Sequence, residues 1–95
     1  MPYQYEIYIG SDNETKKNSD LYRGKIIEWA NSVFPEGYTI FEIDGYYNGF
    51  MEESLLMSVL SEGEIEVKDH IDQLKRELRQ DKILLTKHYV EVRKI

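Results

Sequence analysis

Two segments with apolar residues at helical spacing each sit between segments that alternate apolar and polar residues. That order constrains the fold more than any other feature of the chain. Tyr3-Gln4-Tyr5-Glu6-Ile7-Tyr8-Ile9 alternates and is rich in aromatic and β-branched residues, which marks a strand. Tyr3, Tyr5, Ile7 and Ile9 share one face; Gln4, Glu6 and Tyr8 share the other. Gly10-Ser11-Asp12-Asn13 supplies turn residues. Ser19 or Asp20 then caps a helix whose stripe is Tyr22, Ile26, Trp29, Ala30 and Val33, widened by Ile27 and Phe34. Pro35-Glu36-Gly37 ends it.

A second strand is expected from Tyr38 to Tyr47, with Ile40 and Phe41 on opposite faces. Gly45 interrupts its alternation, as a bulge or a close backbone approach would. Asn48-Gly49 is a strong hairpin signal. The third strand is expected over Glu53–Ser61, with Leu55, Met57 and Val59 on one face and Ser54, Leu56, Ser58 and Leu60 on the other. Val67, Ile71, Leu74 and Leu78 form the second helical stripe. Glu64–Lys68 and Asp72–Arg76 are spaced as i,i+4 ion pairs on its flank. The last apolar segment, from Ile83 to Arg93, reads either as one long bent strand or as a tight pair.

The order is β-α-β-β-α-β, and 95 residues make a single domain, residues 1–95. Two helices with one apolar stripe each are both served by one sheet face. The fold expected is α+β: a ferredoxin-like split arrangement, an antiparallel four-stranded sheet in order 4-1-3-2 with two helices on one face. The other sheet face is then left mixed, with Tyr8, Leu56 and Leu60 among Gln4, Glu6, Ser54 and Ser58. It is too apolar for a wholly solvated surface, and a homodimer through it is expected.

The net charge is −6 and unevenly spread. Residues 26–67 hold nine acids and no lysine or arginine, whereas residues 82–95 hold four bases against Glu91 alone. An acidic middle opposes phosphate-driven nucleic-acid binding. Solubility alone accounts for most such charge. No apolar run reaches the roughly 18 residues of a membrane span, and the N-terminus has no signal-peptide pattern. With no cysteine, disulfides and thiolate chemistry are excluded. A cytoplasmic protein that binds neither membrane nor nucleic acid is expected.

Glu42, Asp44, Glu52 and Glu53 form the densest acid group, but they flank a turn, where solvated acids are common. They follow no calcium-loop register. His70 and His88 lie far apart in the chain, with no third ligand indicated. No metal or cofactor is expected. There is no nucleophile elbow, serine triad or dinucleotide fingerprint, so the expectation is a non-enzyme.

Five short motifs carry a resemblance: Glu6-Ile7-Tyr8-Ile9-Gly10, Phe34-Pro35-Glu36-Gly37-Tyr38-Thr39, Gly45-Tyr46-Tyr47, Glu53-Ser54-Leu55-Leu56 and Gln80-Asp81-Lys82-Ile83-Leu84-Leu85. Together they span nearly the whole chain. In them the sequence resembles a family of short bacterial and phage proteins that form a domain-of-unknown-function group. The resemblance implies the α+β layout and no particular activity. It also implies a phage-borne product of the kind that binds and blocks host factors.

Three functional readings follow. In the first, the chain is a non-enzymatic binding module. It grips a protein partner, basic in character, through Tyr46, Tyr47, Asn48, Phe50, Glu52 and Glu53. The tyrosines and phenylalanine are the part of this hairpin that chain reversal does not require. In the second, Tyr8, Asp12, Asn13, Tyr46, Tyr47, Lys87 and His88 converge to hold an anionic, nucleotide-type small molecule. In the third, Glu42, Asp44 or Glu53 works with His88 in catalysis.

Overall fold

The computed structural model describes residues Met1–Ile95. The elements in chain order are β1 (Tyr3–Gly10), α1 (Asp20–Val33), β2 (Thr39–Tyr47), β3 (Phe50–Ser61), α2 (Lys68–Leu78) and β4 (Leu84–Tyr89). They form one antiparallel sheet in the order β2-β3-β1-β4 with both helices on one face. This is the ferredoxin-like α+β arrangement expected from the pattern.

The alternation of β1 determines which face is buried. Tyr3, Tyr5, Ile7 and Ile9 all face the helices, as do their neighbours Leu55, Met57 and Val59 on β3. Against them pack Tyr22, Ile26, Trp29 and Ala30 of α1, Phe34 just beyond it, Val67, and Ile71, Leu74 and Leu78 of α2. Two polar contacts fix the layers without breaking this core. The Trp29 indole N–H donates to the His70 carbonyl at 3.0 Å, tying α1 to α2. The Tyr5 hydroxyl accepts from the Ile65 amide at 2.9 Å, tying the loop after β3 to the sheet. Each tyrosine or tryptophan thus buries a ring and satisfies its polar end.

The helix α1 begins where expected. Ser19 is extended and its hydroxyl accepts from the Tyr22 amide at 3.2 Å, which satisfies one of the orphan donors of the first turn. Helix α2 begins later than its charge pattern suggests. Val67 is its N-cap and offers no side-chain hydrogen bond. Glu64 is therefore off the helix, held there by the Tyr5–Ile65 bond, and its carboxylate meets Lys87 on β4 at 3.3 Å instead of Lys68. Asp72 pairs with Lys68 at 2.9 Å and lies 4.0 Å from Lys75, instead of pairing with Arg76. The Lys68 contact holds the Asp72 carboxyl below its ordinary value.

Two further expectations are corrected. Gly45 is not a bulge: it pairs with Glu52 in an unbroken β2–β3 register. A Cβ there would stand 3.0 Å from the Ser54 hydroxyl oxygen, so the glycine reflects close side-chain approach. The last segment is neither a long bent strand nor a pair. It is one six-residue strand, after which only the Val90 amide reaches back, to the Pro2 carbonyl.

The helices cover the two central strands far better than the edges. Every residue of β4 is exposed, including Leu85 and Lys87 on the helix side. Lys87 caps this margin, 5.3 Å above the Tyr3 ring. Neither helix is long and apolar enough to cross a membrane.

Leu74 is fully buried at the centre of the helix–sheet contact. Leu74→Ala is expected to lower unfolding free energy by about 2–5 kcal/mol, read as a shift of the urea midpoint at constant slope.

Candidate interaction surfaces

The β2–β3 hairpin closes in two residues. Asn48 and Gly49 both have positive φ, 50° and 81°, as the mirror-image turn requires. Tyr47 and Phe50 are therefore its last pair. Gly10 opposite Ser54 is the last contact of β1 with β3. The four pairs from Asp44–Glu53 to Tyr47–Phe50 thus have no third strand beside them. They form a two-stranded ribbon that runs about 13 Å past the body of the sheet.

The ribbon carries apolar side chains on both faces. Tyr47 and Phe50 lie on the open side of the sheet, Tyr46 and Met51 on the helix side. All four are exposed, at 77%, 79%, 72% and 53%. Large apolar groups so exposed are not needed for folding, since no helix reaches them. Glu53 braces the base of the ribbon by accepting from the Asn18 amide at 2.6 Å, and the Asn18 side chain donates to the Ser54 carbonyl. Glu42 is neutralised by Arg23 at 3.3 Å. Asp44 and Glu52 take part in no ion pair.

The structure therefore brings Tyr46, Tyr47, Asn48, Phe50 and Glu52 together at one protrusion, with Glu53 at its root. Met51 belongs with them. It was missed because the third strand was expected to begin at Glu53, which left residues 50–52 in the turn. The two-residue Asn-Gly loop was the signal that strand pairing resumes immediately at Phe50.

The open face of the sheet is a second surface. The register places Phe41, Leu56, Tyr8 and Leu84 in one row, each beside the next on its own strand. Phe41, Tyr8 and Leu84 are exposed by 49%, 36% and 62%. On one side of this row lie Thr39, Ser58, Glu6 and Thr86, and then Leu60, Gln4 and His88. Polar groups there bond to one another: Gln4 to Ser58 at 3.0 Å, His88 to Glu6 at 3.1 Å, and the Tyr8 hydroxyl to Glu6 at 3.2 Å. The hydrogen bond to Glu6, and then its charge, raise the Tyr8 hydroxyl above its ordinary value. Leu84 could not be placed on this face from sequence because Leu84 and Leu85 are adjacent and either could have faced the helices.

The residues of the expected small-molecule site do not converge. Lys87 and His88 point to opposite faces of β4. The row of His88 and that of Tyr46 are about 30 Å apart along the strands. Asp12 and Asn13 sit in the loop after β1, where the Asn13 side chain donates to the Arg79 carbonyl at 2.6 Å. The catalytic grouping separates in the same way. Glu42, Asp44 and Glu53 lie on the helix side of β2 and β3, lining a cleft of about 240 Å³ with Asn18 and Ile43. His88 is on the opposite face, two strands away from Glu53 and three from Glu42 and Asp44. No three His, Asp or Glu side chains gather closely enough to hold a metal ion.

Tyr22 anchors the root of both surfaces by donating its hydroxyl to the Gly10 carbonyl at the end of β1. Beside it the Gln80 side chain donates to the Ser11 carbonyl at 2.7 Å.

No protein-family model matches the chain, and no curated protein matches it. Among solved structures, the de novo designed protein Foldit4 is similar over 96% of this chain and 100% of its own, with a TM-score of 0.54 and 15% sequence identity. That likeness shows the fold alone.

Burial, followed by the Asp12 carboxylate, pushes the Tyr22 hydroxyl up to about 12, with Gln80 acting in the opposite direction. The unfolded chain ionises this group near 10.0. A folded value above the unfolded one means the stabilisation is complete below pH 10 and is lost as pH rises through 12. Tyr22→Phe is expected to shrink the loss of stability across that window, measured by urea unfolding at stepped alkaline pH. Tyr3, raised chiefly by its bond to Tyr89, and Tyr8 leave a residual slope of the same sign.

Proposed function

We propose that the chain is a small, non-enzymatic binding module that grips a protein partner through the tip of the β2–β3 ribbon. The observation that carries this reading is the exposure of Tyr46, Tyr47, Phe50 and Met51 on a protrusion that the core does not need. Tyrosine and other aromatic residues are the usual anchors of protein interfaces, because each buries a large area and loses little side-chain freedom. Asp44 and Glu52 flank the anchors and favour a partner with a basic patch, which they steer during encounter. The same carboxylates oppose docking on anionic lipid or on nucleic-acid phosphate. The lack of cysteine fits work in the cytoplasm. The resemblance to phage products puts a host protein first among the partners to test.

A photo-crosslinking phenylalanine analogue at Tyr47, installed in the producing cell, is expected to form a protein adduct. The same analogue at the exposed Lys25 of α1 is expected to form none. With the captured protein purified, Tyr46→Ala together with Tyr47→Ala should weaken binding on the order of a hundredfold, as loss of hot-spot residues does, while the circular dichroism spectrum stays native. Equal adducts at both positions, or binding unmoved by the double substitution, refute the reading.

A further inference from the structure

The open face of the sheet has chemistry different from that of the rest of the molecule. Its apolar row, Phe41, Leu56, Tyr8 and Leu84, takes one residue from every strand and so crosses the whole sheet. Ile43 extends it on one side, and Leu60 adds a second apolar position near the far end. The chain as a whole carries −6. Yet across the rows from Phe41–Leu56–Tyr8–Leu84 to Leu60–Gln4–His88 its ionisable groups are Glu6, His88 and Tyr8, and Glu6 bonds to both of the others. Among the uncompensated carboxylates, Glu52 alone borders this face, one row beyond Gly10 and Ser54 at the root of the ribbon.

We propose that this face receives a second copy of the same chain, apolar row against apolar row about a two-fold axis. The charge distribution selects that occupant. A strongly basic or acidic partner finds no free opposite charge within the row, and only Glu52 at its margin. Two copies of a −6 chain repel through most of their surface, and this face lets them meet with every uncompensated carboxylate but that marginal one turned away from the contact. The size also suffices. Fourteen positions in four rows, with strands about 4.8 Å and rows about 7 Å apart, give roughly 470 Å² in projection. Two such faces then bury on the order of 1,000 Å² together, the lower limit of a specific interface. The dimer leaves both ribbons projecting, so it stands whether or not the ribbon binds another protein.

Sedimentation velocity of the full chain, up to about 100 µM, tests the proposal. At that concentration even a micromolar dimer is largely assembled. The expected result is a dimer whose affinity rises as salt is raised from about 20 to about 300 mM, because screening removes the long-range repulsion between like chains. Phe41→Glu with Leu84→Glu should weaken it tenfold or more, on the order expected for like charges brought together, with a native circular dichroism spectrum. If the double variant fails to fold, Leu84→Lys alone, on an exposed edge strand, carries the same test. Tyr46→Ala with Tyr47→Ala should leave the dimer intact. A monomer at every concentration overturns the proposal. So does a dimer unmoved by the face substitutions, or one lost only with the ribbon tyrosines.

Discussion

The parity of β1 governs this molecule. Its four core-facing residues, Tyr3, Tyr5, Ile7 and Ile9, lie between β3 and β4 and beneath both helices. Because side chains alternate strictly along a strand, a slip of one residue would send all four to water and bring Gln4, Glu6 and Tyr8 inward. Glu6 has no partner in that interior, so the alternative register is closed by desolvation as well as by lost apolar burial. Once β1 is set, the faces of β3 and β4 follow through the ladders, and β2 follows through β3.

The centre of the sheet was legible in the sequence and its margins were not. Strand β1, both helical stripes and the Leu55-Met57-Val59 face of β3 could be read because each shows a clean period against one packed layer. The edges lack that second layer. On β4, Lys87 occupies a helix-side position and Leu84 faces outward, so hydrophobicity no longer reports facing. Charge pairs were misread for a similar reason. Glu64 and Lys68 have helical spacing, but the Tyr5 hydroxyl captures the Ile65 amide and holds that segment out of the helix. A contact between residues sixty positions apart overrode a local preference, which no reading by spacing can anticipate.

The surfaces were legible in the same graded way. The hairpin tip announced itself because Asn48-Gly49 fixes the turn, and the neighbouring aromatics are more than the turn needs. The open-face row did not, since it is assembled from single residues on four strands whose alignment only the ladder supplies. The dispersal of Lys87, His88 and Tyr46 shows the converse hazard. Residues chosen for compatible chemistry were separated by strand length and by the two-sidedness of β4.

The ribbon beyond Ser54 is the part of the sheet least held by its neighbours. Two strands without a third, and without a helix above them, have little stability of their own. Its outermost hydrogen bonds can open and close while the remainder of the domain stays shut. The side chains it displays are thereby uncoupled from the energetics of the core. Substitution at the tip therefore changes the surface the molecule presents at small cost to whether it folds.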